Sequence, residues 1–302
     1  MNNYIPVVFC FDANYANYAA VATFSAFSNS VAPLKVYWLV PSSDLEMANL
    51  KKLSLSALGV NIFIKPVDSK HFQDWKEVLH ITRGSYLRLL IPETVEEDKV
   101  IYLDSDVIVQ ADLSPLYSTD LETFAIAGAL ETAAGGENSN MPLSKPVRYI
   151  NTGILVMDLK RLRQEGFFLK CKDIYEKYTK QITWGDQCII NKYIESGKKI
   201  LKPCWNHYVS LGKNPSHEKL GIKGTESPPC ILHFLTQDKP WHKSYPPHIG
   251  DLWWKYADKL QLDGLRREAY EAVIRVKRSL LRRIIDSIRK RLAKLVRLIG
   301  QT

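Results

Sequence analysis

Two aspartates separated by one residue carry the clearest chemical signal in this 302-residue chain. Asp104, Ser105 and Asp106 directly follow the apolar run 100–103, which predicts a buried β-strand. Side chains two positions apart on a strand point to the same face, so both carboxylates can reach one point while Ser105 points away. Converging carboxylate oxygens suit a divalent cation such as Mg²⁺ or Mn²⁺. In open α/β sheets ligands bind at this end of the strands, where a cation could bridge the phosphates of a nucleotide-linked substrate.

A histidine further along the chain is the third candidate ligand for the same cation. His233 follows the short apolar run 231–232. A histidine there is more often a hydrogen-bonded core residue, but two aspartates upstream favour a ligand, and the three groups would leave coordination positions for phosphate oxygens. The alternative is that the aspartates are only solvated turn residues. A calcium-binding EF-hand is excluded, because the apolar residues 107–109 stand where its loop needs glycine and oxygen ligands.

Polar residues elsewhere could complete a binding site, although each also has a simpler structural interpretation. Gly185 allows a ligand to approach Asp186 and Gln187, which could instead only start a helix. Asn151, in an Asn-Thr-Gly sequence, either caps a turn or contacts a ligand. Lys239 could be one more solvated lysine on a loop, but it precedes a proline and a tryptophan, which would stiffen the loop and place its charge to meet a diphosphate.

The elements that must position these residues alternate along the chain. Apolar runs predict strands at residues 5–11, 34–40, 60–64, 100–103, 126–130, 153–157 and 231–234. Capping signals and glycine or proline stops predict helices at 15–27, 43–58, 85–90, 167–179 and 186–195, the second of them opened by a capping box between Ser43 and Glu46. Strands alternating with helices predict an α/β domain with a parallel or mixed sheet that is covered on both faces.

The ordered set of polar residues, placed on these elements, resembles glycosyltransferase family eight over roughly residues 4–255. That family includes bacterial lipopolysaccharide galactosyl- and glucosyltransferases. The resemblance implies a nucleotide-sugar transferase fold of the single Rossmann-like, GT-A-like type, with a mixed sheet. It implies Mn²⁺ as the cofactor, with Mg²⁺ possible, and a UDP-hexose donor whose galactose or glucose is transferred with retention of anomeric configuration. The acceptor it implies is a glycan or glycolipid such as the lipopolysaccharide or lipooligosaccharide core.

The resemblance also assigns roles to individual residues. The metal ligands correspond to Asp104, Asp106 and His233. The nucleotide-binding residues correspond to Asp12, Asn14, Arg88, Ser105, Thr236 and Lys239. The sugar-binding residues correspond to Glu131, Asn151, Asp186 and Gln187, and the expected catalytic residues are Gln187, Asp186 and Lys239.

One position departs from the family pattern, and three have alternative interpretations. Thr236 stands where the family usually has glycine, so its side chain could either crowd the phosphates or hydrogen-bond to them. Asp12 could be a plain strand-end residue and Asn14 a turn residue. Arg88 could pair with a surface acid.

Retention of configuration requires either a covalent intermediate or attack from the face that the leaving group departs from. A covalent route needs a carboxylate about 3 Å from the anomeric carbon. The residue that the resemblance places there is Gln187, whose amide is a poor nucleophile. We therefore expect same-face attack through an oxocarbenium-like state, with the departing phosphate accepting the acceptor's proton. Lys239 would add positive charge at the leaving oxygen, and Asp186 is the alternative nucleophile.

The net charge of +9 is concentrated at one end of the chain. Residues 265–302 hold twelve of the 41 lysines and arginines but three of the 32 acids, so residues 1–264 are neutral. Apolar residues in this tail recur at three- and four-residue steps, which predicts a basic amphipathic helix that binds an anionic membrane surface. The alternatives are a helix packed on the body or a disordered arm. The chain therefore divides into a transferase domain, 1–264, and a membrane-associating tail, 265–302.

Composition indicates the cellular compartment in which we expect the protein. Five scattered cysteines without Cys-x-x-Cys spacing favour reduced thiols rather than disulfides or a zinc site. Residues 1–4 lack the basic side chains of a signal peptide, and no apolar run reaches the ~20 residues that span a bilayer. We expect a cytoplasmic protein on the inner face of the cell membrane. A neutral body and a tail without interleaved aromatics argue against a nucleic-acid partner.

Two other functions fit parts of the sequence. A sugar-phosphate nucleotidyltransferase would share the α/β sheet, but it would want a glycine-rich phosphate loop after the first strand, and residues 12–17 contain no glycine. A membrane-associated nucleotide-sugar-binding protein without catalysis would keep the same binding residues. Release of UDP in the presence of Mn²⁺ separates an enzyme from such a binder.

Overall fold

The computed structural model describes most of the chain as alternating strands and helices. The described residues are 3–77, 83–131, 140–143, 148–209, 228–235, 239–242, 245, 247–260 and 262. They belong to two compact units, residues 1–237 and residues 238–302. None of the helices within the described ranges has the length and apolar character needed to cross a membrane.

Ten strands form in the described part of the first unit. In chain order they are β1 (Ile5–Cys10), β2 (Leu34–Pro41), β3 (Ile62–Val67), β4 (Lys99–Leu103), β5 (Val107–Val109), β6 (Ile126–Leu130), β7 (Ile150–Asp158), β8 (Lys199–Ile200), β9 (His207–Tyr208) and β10 (Ile231–His233). Seven of them form one sheet in the order β3-β2-β1-β4-β7-β6-β8. β1 lies parallel to β2 and β4, whereas β7 runs antiparallel to β4 and β6. The sheet is mixed, as the alternating elements predicted.

Central strands of this sheet are apolar because both of its faces are covered. Every residue of β1 is buried, and the neighbouring residues Val7, Val8 and Phe9 are all 0% exposed. Since adjacent side chains of a strand point to opposite faces, burial at consecutive positions requires packing on both sides. This explains why β1 reads as a continuous apolar run rather than an alternating one.

Helices connect the strands. They are α1 (Ala16–Asn29), α2 (Leu45–Ser56), α3 (Ile91–Thr94), α4 (Ser114–Tyr117), α5 (Leu159–Gln164), α6 (Phe167–Tyr178), α7 (Asp186–Tyr193) and, in the second unit, α8 (Pro247–Leu260). Short 3-10 helices lie at Ala13–Tyr15, Ser42–Asp44, Ser69–Phe72, Arg83–Leu90 and Pro203–Asn206. The helices predicted at 15–27, 167–179 and 186–195 are present with shifted ends, whereas the one predicted at 85–90 is a 3-10 helix.

The predicted capping box at residue 43 is wrong. A 3-10 turn precedes α2, and the Ser43 hydroxyl donates to Asp44 Oδ1 at 2.8 Å. The other oxygen, Asp44 Oδ2, accepts from the backbone N–H of Ala13 at 2.8 Å. The carboxylate of Asp44 thus binds the serine and ties the start of α2 to the loop after β1.

A small second sheet has the strand order β5-β10-β9. β10 pairs antiparallel with β5, which places His233 opposite Val107, and parallel with β9, which places it opposite Tyr208. The sequence predicted β10 but neither β5 nor β9. The two-residue β9 is too short to show a period. This sheet places His233 beside Asp104 and Asp106.

Aromatic packing fixes the 3-10 helix that carries Arg88. Tyr86, 0% exposed, lies with its ring 4.9 Å from that of Trp75 and 5.9 Å from that of Phe72. Trp75 in turn stacks on Tyr175 of α6, with ring centroids 3.9 Å apart. A short helix with poor intrinsic stability is thereby held by side-chain packing.

The second unit has its own aromatic core around α8. The Trp254 indole donates to the Pro240 carbonyl at 3.1 Å, and the rings of Trp241 and Trp253 lie 5.2 Å apart. The predicted domain boundary between 264 and 265, and the tail helix beyond it, lie outside the described residues and stay predictions.

Candidate active site

The aspartate pair lies in the turn that joins β4 to β5. β4 ends at Leu103 and β5 begins at Val107, so Asp104, Ser105 and Asp106 are not part of a regular strand. The expectation that strand pleating aligns the two carboxylates is therefore wrong in its mechanism. The turn brings them together instead, while Ser105 is buried, as expected of a residue that points away.

Three potential ligands converge at this turn. One ligand atom from each of Asp104, Asp106 and His233 lies within 4.8 Å of the others. His233 Nε2 is 3.2 Å from Asp106 Oδ1 and 3.8 Å from Asp104 Oδ2. Two carboxylates and one imidazole form a donor set that suits Mn²⁺ and leaves positions for further oxygen ligands. The residues present therefore fit a divalent metal.

The two oxygens of Asp104 have different partners. Oδ1 accepts from the Tyr102 hydroxyl and lies 2.9 Å from Nη2 of Arg88, whose guanidinium stacks 4.6 Å from the Tyr102 ring centroid. Oδ2 faces His233. Because Oδ1 is already held by a hydroxyl and a cation, Oδ2 is the oxygen that is oriented toward the metal position.

Arg88 lies between two carboxylates and is itself buried. Its Nε lies 2.9 Å from Asp186 Oδ2, and its Nη1 donates to the Thr152 carbonyl at 2.7 Å. Nε donates to the Ser85 carbonyl at 3.1 Å, so its contact with Asp186 is a charge contact rather than a directed hydrogen bond. Arg88 therefore pairs with the buried Asp186 and the half-buried Asp104, and the alternative that it makes a surface ion pair is wrong.

Asp186 is almost fully buried at the first residue of α7. Burial raises the pKa of Asp186 to about 6, the charge of Asp104 adds to that rise, and Arg88 opposes it. Gly185 before it has φ +53°, a conformation that favours glycine, so the backbone at the start of α7 favours that residue.

Gly153 leaves the space that His233 occupies. A Cβ added at Gly153 would lie 2.3 Å from His233 Cε1 and 2.8 Å from Asp104 Oδ2. The Gly153 carbonyl also accepts from the backbone N–H of Asp104 at 2.8 Å. The glycine of the Asn-Thr-Gly sequence is thus needed for the two ligands to meet.

The predicted sugar-binding residues lie around the same turn. Asn151 Nδ2 donates to Glu131 Oε2 at 3.0 Å, and Gln187 Oε1 accepts from the Thr152 N–H at 3.2 Å. Asp186 contacts Arg88. Each of the four predicted sugar-binding residues is therefore linked either to the start of β7 or to Arg88. Their contact with a sugar stays a prediction.

The loop after β1 reaches the same edge of the sheet as the aspartates, because β1 and β4 are parallel neighbours. The carboxylate of Asp12 accepts from the Asn14 N–H at 3.0 Å, and Asn14 is exposed. Burial, reinforced by the charges of Asp106 and Asp12, raises the pKa of Tyr15 to about 12. Because the charge of Asp106 acts on Tyr15, this loop lies near the aspartate turn, and its contact with a nucleotide stays a prediction.

Two predicted residues are not placed at the site. Lys239 is buried and lies in the second unit, and its approach to a diphosphate stays a prediction. Thr236 lies outside the described residues.

Sequence analysis missed Tyr102, Thr152 and Asn206. Tyr102 had a usable signal, because it stands near the end of β4, two residues before Asp104. Asn206, whose Oδ1 lies 2.9 Å from Nδ1 of His233, gave no local signal. It belongs to a 3-10 helix that is brought to His233 by β9.

Comparison with known proteins agrees with this geometry. Residues 6–244 match the model of glycosyl transferase family 8. Glycosyltransferase GlyF of Streptococcus pneumoniae is 29% identical over 74% of this chain and 54% of its own length. General stress protein A of Bacillus subtilis is 26% identical over 83% of this chain and 92% of its own length. The chain thus spans about half the length of GlyF but nearly all of the Bacillus protein.

Solved structures share the fold. A crystal structure of the galactosyltransferase LgtC, in complex with donor and acceptor sugar analogs, matches with a TM-score of 0.76 at 24% identity, over 88% of this chain and all of LgtC. Apo GlyE of Streptococcus pneumoniae matches with a TM-score of 0.65 at 24% identity, over 91% of this chain and 63% of GlyE. The α/β fold with a mixed sheet is therefore of the GT-A-like type found in LgtC. The matched region and the residues at its site show that the chain belongs to glycosyl transferase family 8.

Proposed function

We propose that this protein is a metal-dependent, retaining hexosyltransferase that moves galactose or glucose from a UDP-sugar to a glycan acceptor. The observation that carries this proposal is the convergence of Asp104, Asp106 and His233 within 4.8 Å. The cluster lies at the sheet edge where parallel strands end, which is where ligands bind in open α/β sheets.

Asp104, Asp106 and His233 would hold the divalent cation, Mn²⁺ or Mg²⁺. When bound, that cation supplies Lewis-acid neutralisation of the charge that develops on the departing diphosphate, worth several kcal/mol. Lys239 is proposed to add a fixed positive charge beside the same group. The uracil is proposed to bind at the loop of Asp12 and Asn14, where the half-buried ring of Tyr15 offers it an apolar face.

The contacts of Gln187 and Asp186 support same-face attack. Gln187 Oε1 accepts from a backbone N–H, and Asp186 is ion-paired and 2% exposed. A nucleophile needs an unencumbered oxygen beside the anomeric carbon, and neither residue presents one. We therefore propose that these residues position the sugar while the acceptor oxygen attacks from the leaving-group side. A stable glycosyl adduct on Asp186 would overturn this part of the proposal.

The acceptor is proposed to be a membrane-borne glycan such as the lipopolysaccharide or lipooligosaccharide core. The basic composition of residues 265–302 supports attachment to an anionic membrane surface. The enzyme would then meet its acceptor at the cytoplasmic face of that membrane.

A screen of UDP-sugars tests the activity. We expect Mn²⁺-dependent release of UDP from UDP-galactose or UDP-glucose, abolished by EDTA. Asp104→Asn and Asp106→Asn should each reduce the rate by about 100-fold or more, because a loss of several kcal/mol of charge stabilisation has that size. Asp98→Asn, on an exposed carboxylate, is the matched control and should retain the rate. Tight UDP-sugar binding without UDP release would identify a non-catalytic binder instead.

A further inference from the structure

A continuous chain of side-chain hydrogen bonds runs from Glu131 to His233. Asn151 Nδ2 donates to Glu131 Oε2 at 3.0 Å, and Asn206 Nδ2 donates to Asn151 Oδ1 at 2.8 Å. Asn206 Oδ1 then lies 2.9 Å from Nδ1 of His233. We call this chain the amide relay. Asn151, Asn206 and His233 are each no more than 5% exposed, so water has little access to compete for these bonds.

The direction of the relay is fixed at its start. An ionised carboxylate only accepts hydrogen bonds, so Glu131 requires the NH₂ group of Asn151 to face it. The backbone N–H of Gly153 donates to Asn151 Oδ1 at 2.9 Å and requires the same orientation. Asn151 Oδ1 then faces Asn206 and can only accept, so Asn206 must present its own NH₂ group to Asn151.

This orientation determines which ring nitrogen of His233 carries the hydrogen. Asn206 presents its carbonyl oxygen, a pure acceptor, to Nδ1 of His233. Nδ1 must therefore donate, and the neutral ring carries its hydrogen on Nδ1. The lone pair is left on Nε2, the atom that lies 3.2 Å from Asp106 Oδ1.

We propose that Asn206 is a positioning residue that holds His233 in the tautomer whose Nε2 can bind a metal, and that Glu131 and Gly153 impose this through Asn151. The inference rests on the proposed function in so far as the ion is the catalytic one. It links the predicted sugar-binding residues to the metal position, so that both share one oriented set of hydrogen bonds. Partners of this kind typically change metal affinity by 10- to 100-fold.

The tautomer of His233 can be measured in the absence of metal and without an activity assay. In ¹⁵N-histidine-labelled full-length protein in EDTA, long-range ¹H–¹⁵N spectra identify the protonated nitrogen of each neutral ring. The signals of His233 are assigned by their absence from His233→Gln. We expect hydrogen on Nδ1 in the wild-type protein and in Asn206→Asp, which keeps the acceptor for Nδ1 while losing the donor to Asn151 Oδ1. In Asn206→Leu, which has no acceptor, we expect loss of this preference.

Metal affinity is measured on the same proteins by Mn²⁺ electron paramagnetic resonance. Asn206→Leu should raise the Kd for Mn²⁺ by about 10- to 100-fold, whereas Asn206→Asp should bind at least as tightly as the wild type. Asn29→Leu is the matched control, because Asn29 donates to the carbonyls of Ser25 and Val109 and its contacts do not include His233. It should leave both the tautomer and the Kd unchanged.

Each result decides the proposal. Hydrogen on Nε2 in the wild type, or an unchanged tautomer and Kd in Asn206→Leu, overturns it. If Asn206→Leu does not fold, the test rests on Asn206→Asp. Loss of the hydrogen from Nδ1 in folded Asn206→Asp would then overturn the proposal. If the wild-type tautomer depends on Asn206 but Mn²⁺ does not bind, the amide relay stands and the proposed metal-dependent function fails.

Discussion

At Asp104 the two oxygens of one carboxylate are used differently. Tyr102 and Arg88 hold Oδ1, and Oδ2 faces His233. Charge-assisted hydrogen bonds are short and strong, so they set the angle at which the second oxygen approaches an ion. Gly153 contributes by lacking a side chain at the point where the two ligands meet.

Gly153→Ala should separate the ligands. The added methyl would lie 2.3 Å from His233 Cε1, so the ring has to move. We expect the Kd for Mn²⁺ to rise by at least about 10-fold, as measured by electron paramagnetic resonance. Gly166→Ala is the control: its Cβ meets nothing within 4 Å, and its φ of +66° costs about 1–2 kcal/mol of stability. If Gly153→Ala retained wild-type affinity, the spacing argument would be wrong.

Arg88→Ala should produce a pH-dependent loss of stability. Without Arg88, the pKa of Asp186 would rise beyond its value of about 6, compared with about 3.9 in the unfolded chain. Between these values the folded state holds a proton that the unfolded state has released, so this carboxyl destabilises the fold increasingly as the pH rises. We expect a penalty of about 3–5 kcal/mol at pH 8 that becomes smaller toward pH 4.

Urea denaturation in EDTA at a series of pH values measures this effect. Arg161→Ala is the control, because Arg161 donates to the Thr123 backbone carbonyl rather than to a buried acid. Its penalty should be the same across the range. If the loss of stability in Arg88→Ala did not change with pH, the inference that the substitution leaves the Asp186 carboxyl without a compensating charge would be wrong.

At the scale of elements, the side chain of Asn191 ties α7 to the start of β7, beside the contact between Gln187 and Thr152. Asn191, 1% exposed, accepts from the N–H of Ile150 at 2.8 Å and donates to the carbonyls of Ile150 and Gln187 at 2.8 and 2.9 Å. The helix carries Asp186 and Gln187 in its first turn, and the strand carries Asn151. The Asn191 amide thus helps to set the distance between two groups of predicted sugar-binding residues.

Asn191→Leu should weaken both the fold and donor binding. It leaves backbone groups of Ile150 without their side-chain partner, which costs about 2–4 kcal/mol in urea denaturation. Because α7 is then free to shift, the KM for the UDP-sugar should rise severalfold. Asn29→Leu, at a partly exposed amide, should cost less and leave KM unchanged. If Asn191→Leu were destabilised but kept the wild-type KM, the contacts of Asn191 would not position the sugar-binding residues.

The convergence of the candidate metal ligands could be predicted from the sequence because polar residues stand directly after apolar runs. Asp104, Asp106 and His233 all follow such runs, and their order along the chain carried the family resemblance. Asn206 could not be predicted, because its partners Asn151 and His233 are 55 and 27 positions away. They meet it only through a two-residue strand, which has no period to detect. The strand geometry predicted for residues 104–106 is wrong for a related reason: alternation over three residues does not distinguish a turn from a strand.

For the whole molecule, charge separates the chain into two parts. Residues 1–264 are neutral, and residues 265–302 carry the full net charge of +9. Such a concentration attracts an anionic lipid surface at about 1 kcal/mol per basic residue near that surface. The neutral part contains the candidate site, so membrane attachment and catalysis are expected to be separable.

Removing residues 265–302 should release the protein from anionic vesicles while sparing hydrolysis of the donor. Co-sedimentation with phosphatidylserine-containing liposomes measures attachment, and UDP release measures hydrolysis. Full-length protein on zwitterionic liposomes is the control and should stay in the supernatant. Raising the salt concentration should also release the full-length protein, because ions screen the attraction. If the shortened protein bound anionic vesicles as well as the full-length protein does, the prediction that residues 265–302 attach it to the membrane would be wrong.

The strand that carries His233 also has a consequence for biosynthesis. All seven strands of the large sheet are encoded before residue 201, whereas β10 follows about thirty residues later. A nascent chain that has released the large sheet from the ribosome still lacks the third candidate ligand, since domains fold as they emerge. Premature termination before β10 would therefore yield a product with the two carboxylates of the candidate metal site but without the imidazole of His233, and we expect it to bind a divalent cation more weakly.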